Sequence, residues 1–163
     1  MRTDTAIAKK PTLCVVGQDA AGELVGQDWP LLPDAEYIAR VKHWETRHIF
    51  RSPRLFLHVE IVDGRHSGAT LFAAFALREI VGKPGHRGRF KIARRSKLLL
   101  ALTRLTGQRI RGDRISLNWL TRSLLRIRTR TVTHDHAQTE LPMALRYSCV
   151  ADLVAIEAGA PTP

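Results

Sequence analysis

The chain has 163 residues, 44% hydrophobic and 25% charged, and a net charge of +11, a size and composition suited to one domain with a sizeable core. It carries no apolar run of the ~20 residues that a membrane span needs, no apolar leader after Met1, and only Cys14 and Cys149, which lack metal-site spacing. The composition reads as a cytoplasmic protein with reduced thiols and no membrane association.

Residues 1–33 read as an N-terminal arm, partly flexible. They mix small and polar residues and end in Asp28-Trp29-Pro30-Leu31-Leu32-Pro33, where two prolines disfavour regular structure. Leu13 to Val16 is a candidate edge strand. The domain proper is expected over 34–157, with 158–163 as a tail.

Asp34 to Glu45 predicts a strand with Tyr37, Ala39 and Val41 on one face and Arg40, Lys42 and Trp44 on the other. Arg54 to Val62 predicts a second, its apolar face Leu55, Leu57, Val59 and Ile61 opposed by Arg54, Phe56, His58 and Glu60. Asp63-Gly64 is a turn dipeptide leading to a third strand, Thr70 to Arg78, with Phe72 opposite Leu71 and Phe75.

Val81 to Phe90 reads as a glycine-punctuated basic loop. Ser96 predicts the cap of a helix over Lys97 to Thr106, with Leu98, Ala101, Leu102 and Leu105 as its apolar stripe and Gly107 as its stop. Ile115 to Leu120 is expected to form a short strand. Ser123 to Thr133 predicts a strand with Arg126, Arg128 and Arg130 on one face. His134-Asp135-His136 reads as a turn, and Ala144 to Ile156 as a last, kinked strand.

Three strands, a helix and two further strands describe an all-β chain with one helix. The order fits a five-stranded Greek-key barrel of the OB-fold type, with its helix between strands 3 and 4.

Charge is distributed unevenly. Lys83 to Thr131 holds 15 of the 26 Lys and Arg residues and a single acid, Asp113. Such concentration costs self-repulsion and points to a polyanionic partner. Period two spaces Arg126, Arg128 and Arg130 about 6.6–6.8 Å apart along the strand, comparable to the phosphate repeat of an extended single strand. Lys83, Arg87, Arg89, Lys91, Arg94 and Arg95 form a second basic set, a candidate mobile clamp. Gly82, Gly85 and Gly88 would let a backbone approach a phosphate. Phe56, Phe72, Trp44 and Phe90, with Arg54 beside Phe56, are candidate base-stacking groups. Each set has a plainer reading: a solvated sheet face, a loose basic loop, or core aromatics.

Enzymatic readings have less support. His58, Glu60 and Asp63, or His134, Asp135 and His136, do not form a convincing metal set, no cofactor-binding motif is present, and no nucleophile elbow occurs. No catalytic or metal-ligating residue is expected.

Asp34-Ala35-Glu36-Tyr37-Ile38-Ala39, Leu55 to Gly64, His66-Ser67-Gly68 and Leu71-Phe72 together resemble the opening strands of small single-stranded-DNA-binding proteins of phages and mobile elements. The resemblance covers residues 34–79 and implies an OB-fold that binds single-stranded DNA during replication, recombination or transfer. The resemblance implies a bacterial cytoplasm, and it departs from housekeeping single-strand binders at Gly159-Ala160-Pro161-Thr162-Pro163, which is not acidic, so recruitment of replication partners through an acidic tail is not expected. The expected function is non-enzymatic, largely sequence-independent binding of single-stranded DNA. The alternatives are an RNA-binding protein of the same fold, or a basic interaction protein that binds an acidic protein surface as an anti-defence or regulatory factor. Pairing of barrel edges leaves a homodimer open.

Overall fold

The computed structural model describes residues 29–112 and 115–159. The expected edge strand Leu13–Val16 lies outside the described residues, as do Cys14, Asp113, Arg114 and 160–163. The described chain is mostly β-sheet with a single α-helix.

Strand β1 (Glu36–Ile49) and strand β2 (Ser52–Ile61) form a long antiparallel hairpin. Leu55, Leu57, Val59 and Ile61 face inward and are fully buried, as their alternation predicts. Each such side chain contributes roughly 1.5–3 kcal/mol by leaving water. Strand β3 (Thr70–Ala76) pairs with β2 after a 3-10 turn at Gly64–His66 and buries Leu71 and Ala73.

Strand β1 does not keep one phase. Val41 pairs with Val59 but His43 pairs with His58, which leaves Lys42 as the extra residue of a β-bulge. Ala39 and Val41 point inward before it; Trp44 and Thr46 do so after it. Trp44 therefore joins the core, 8% exposed, and not the outer face with Arg40 and Lys42 that strict alternation assigned to it.

The segment read as a basic loop is folded. Strands β4 (Glu79–Val81) and β6 (Arg89–Lys91) pair with each other, and between them β5 (Gly85–His86) pairs with β1 at Glu45 and Thr46. The Arg87 amide donates to the Trp44 carbonyl at 3.0 Å. Gly88 is required by this packing, because a Cβ there would overlap Thr46 Oγ1. Its missing Cβ admits the close approach of β1 at Thr46.

Helix α1 (Lys97–Thr106) keeps its expected limits. Ser96 Oγ accepts from the Leu99 amide at 3.1 Å, and Gly107 ends the helix at φ 65°. Leu98, Ala101 and Leu102 are buried. Residues 115–120 form no strand. Leu117, Trp119 and Leu120 are buried in irregular chain ending in a 3-10 turn, Leu120–Arg122. Local bonds satisfy its backbone: Leu120 N to Leu117 O, Arg122 N to Trp119 O, and Thr121 Oγ1 to Asn118 O.

Strands β7 (Leu124–Val132) and β8 (Tyr147–Ala158) complete a six-stranded antiparallel sheet in the order β3-β2-β1-β7-β8, with β5 on β1. The sheet is open in its hydrogen bonding, since no ladder joins β3 to β8 among the described residues. The two edge strands nevertheless touch, and the rings of Phe72 and Tyr147 lie 6.0 Å apart. Residues 29–32 bridge them. Ser148 N donates to Pro30 O, Leu32 N donates to Ser148 Oγ at 2.8 Å, and Trp29 packs on Phe72. The end of the expected arm is thus fixed to the sheet. Among the described residues no helix is long and apolar enough to cross a membrane.

Candidate functional site

The outer face of β1, β2 and β3 carries a continuous group of rings. Phe56 and Phe72 are cross-strand diagonal neighbours with centroids 5.8 Å apart. Trp29 lies 4.5 Å from Phe72, and Tyr147 at the start of β8 also stacks on Phe72, at 6.0 Å. His58 stacks on His43 at 4.3 Å and beneath Trp29 at 6.1 Å, and His86 lies 5.5 Å from His43. Phe56, Phe72, Trp29 and Tyr147 are half-buried, so each keeps ring surface open to solvent. A cleft of about 520 Å³ adjoins this face, bordered by Trp29, Lys42, His43, Arg47, His58 and Thr70.

Cations rim the rings. Arg54 is on the Phe56 face, cross-strand from Arg47. The acids on the face are already engaged. Glu60 accepts from Arg40 at 3.0 Å and lies 3.8 Å from Lys42; Glu45 lies 3.0 Å from His58 Nε2 and 2.8 Å from Arg47. Neither carboxylate stands unopposed toward a polyanion. His43 has its pKa lowered, chiefly by burial and then by its stacked neighbour His58, with Glu45 acting against both. Burial raises the pKa of Tyr147, while the nearby Arg130 charge lowers it.

Arg126, Arg128 and Arg130 are all exposed on the outward face of β7, between the buried Leu125, Ile127 and Thr129. They are not electrically equivalent. Arg126 Nη2 binds Glu157 at 2.6 Å and Nη1 lies 4.0 Å from Glu36. Arg128 binds Glu36 at 2.8 Å, and that bond raises its pKa. Arg130 has no acidic partner among the described residues and sits beside Tyr147, at the end of the ring group.

The other expected residues are dispersed. Phe90 is half-buried against the core, edge-on to Trp44 at 5.8 Å, so these two rings pack the fold. Lys83, Arg87 and Arg89 are exposed around β5 and β6. Lys91 is held by Glu79 at 2.9 Å, and Arg94 and Arg95 precede α1. These six do not form a single free clamp, because β5 and β6 are paired into the structure.

Four contributors escaped the sequence reading: Trp29, His43, Tyr147 and the β1–β2 tip. The tip is a two-residue turn, Phe50–Arg51, with φ 47° and 65°. Non-glycine residues rarely adopt this region. Phe50 is 74% exposed and stacks on His136, in the segment between β7 and β8, at 4.7 Å. Only the position of a hairpin tip could have singled out Phe50 in the sequence.

No group of three or more His, Cys, Asp or Glu side chains among the described residues could hold a metal ion. Cys149 is buried and unpaired. The arrangement offers stacking surface and positive charge. No family model, curated protein or solved structure matches the chain.

Proposed function

We propose that this chain is a non-enzymatic protein that binds single-stranded DNA with little sequence preference, on an OB-fold-like barrel. The observation that carries the reading is the row Phe56, Phe72, Trp29 and Tyr147, partly open and flanked by Arg54 and Arg130. Every base has a π face, so stacking contributes roughly 1–3 kcal/mol per base without reading sequence. Arginines beside the rings neutralise phosphates and stack in turn.

The strand order supports the fold half of the proposal. Closure of the open sheet through β3 and β8, which touch without a ladder, would give the ring β1-β2-β3-β8-β7, the Greek-key order of an OB barrel with α1 between its third and fourth long strands. Oligonucleotides bind that fold on its second and third strands and on the loops after its first and fourth. Here those positions are the Phe56–Phe72 face and the Phe50–His136 contact. A role in replication, recombination or transfer of a phage or mobile element belongs to the same proposal and rests on the resemblance of residues 34–79.

Anisotropy titration of labelled oligo-dT, its duplex and the matched RNA at low and high salt tests the reading. The single strand should bind best, with log K falling steeply against log salt. Phe56→Ala with Phe72→Ala should lose most of the affinity. A flat salt dependence, or an unaffected double variant, would overturn the proposal. Preference for the RNA would move the assignment to RNA, since the 2′-OH distinguishes the two.

A further inference from the structure

A second cleft, of about 930 Å³, opens between α1, β6 and residues 107–112. Its floor is aliphatic, formed by Leu99, Leu100 and Ile110, and its rim carries Arg78, Arg94 and Arg109. Neither an acidic nor an aromatic residue lines it among the described residues.

Both features set it apart from the ring face. Helix α1 runs Leu98-Leu99-Leu100; Leu98 is buried and Leu99 packs half-buried against the core, but Leu100 is 57% exposed and lines the cleft. An amphipathic helix needs no leucine there for folding, and an exposed leucine beside arginines favours association. Among the described residues Glu79, near the cleft, is bonded to Lys91 at 2.9 Å. Nucleic acid would use the rim charges but find no ring for its bases. A peptide with carboxylates flanking aliphatic side chains would use both rim and floor.

We propose that this cleft binds an acidic, amphipathic peptide segment of a partner protein, independently of the nucleic-acid face. Charge complementarity selects the segment and the aliphatic floor anchors it.

The probe is a fluorescein-labelled synthetic peptide of paired aspartates flanking two leucines, with a leucine-to-serine control, titrated into the full chain. The aspartate–leucine peptide should bind saturably, and the serine control about tenfold more weakly. Arg94→Glu with Arg109→Glu should weaken the peptide by about tenfold or more. Leu100→Ser, an exposed change that spares the core, should weaken the leucine peptide alone. Phe56→Ala with Phe72→Ala should leave peptide binding intact even if oligonucleotide binding is lost. Equal affinity for the two peptides, or no effect of the cleft variants, would overturn the proposal. So would stoichiometric displacement of the peptide by oligo-dT, which would give the cleft to nucleic acid.

Discussion

The Phe50 ring stacks on the His136 imidazole, centroids 4.7 Å and planes 28° apart, joining the β1–β2 tip to the segment that links β7 and β8. Phe50 and Arg51 hold this contact from a turn whose backbone favours Asn-Gly. Left-handed backbone costs an ordinary L-residue roughly 1–2 kcal/mol. Replacing Phe50→Asn with Arg51→Gly should therefore raise unfolding stability by about 1 kcal/mol in urea titrations, while lowering single-strand affinity by about 1–3 kcal/mol. Unchanged affinity would remove the tip from the interface.

Aromatic residues should separate into two classes. Trp44→Ala should destabilise the protein by about 3–5 kcal/mol, since its ring fills the core. Phe56→Ala or Phe72→Ala should cost affinity more than stability, about 1–3 kcal/mol of binding each. Parallel thermal unfolding and oligonucleotide titration distinguish the classes, and a Phe72 variant that unfolds as readily as the Trp44 variant would assign Phe72 to the core.

The three β7 arginines should differ in salt response. Arg130→Ala should reduce the slope of log K against log salt by about 0.7, one phosphate contact on a single strand. Glu36→Gln should act oppositely, raising affinity and steepening the slope, because Glu36 engages both Arg126 and Arg128. Equal losses from Ala at 126, 128 and 130 would mean that these ion pairs do not persist in solution.

Acidification should strengthen binding and weaken the free fold. His43 has a folded pKa below its ordinary value of 6.5, so the unfolded chain takes up its proton first. Its contribution to stability is complete above pH 6.5 and is lost as pH falls through the lowered folded value. Phosphates near His43 favour its charged form, so bound DNA should raise that pKa and affinity should rise as pH drops. Lys42, Glu45, His58 and His86 share its surroundings. Proton-detected titration of the His43 ring, free and with oligo-dT, measures the linkage; identical curves would place His43 outside the interface.

Local signals in the sequence reached only as far as local physics does. Ser96 and Gly107 mark α1 because capping is decided within one turn. The alternations in β2, β3 and β7 are plain because one face of each is buried. Trp44 was placed on the wrong face because one unpaired residue changes the phase of β1; the inward series 39, 41, 44, 46 carries that signal. Glycines and charges in 82–88 masked a segment whose pairing partner, Thr46, is remote in sequence. The outward face of the arginines was legible, but their ion pairs were not, since Arg128 and Glu36 are 92 residues apart. The ring group escaped for the same reason: Trp29 and Tyr147 meet Phe72 through tertiary packing alone.

The bulge at Lys42 divides one strand into two functional halves. If Lys42 took a regular place in the ladder, everything beyond it would turn over, sending His43, Glu45 and Arg47 toward the core and Trp44 and Thr46 into solvent; deleting it would leave the pairs Val41–Val59, His43–His58 and Trp44–Leu57 in one unbroken register. The step from Val41 to Trp44 can therefore be two residues in a regular ladder or three with a bulge, and an insertion or deletion elsewhere in β1, with no bulge to absorb it, would expose one half of the strand's core series.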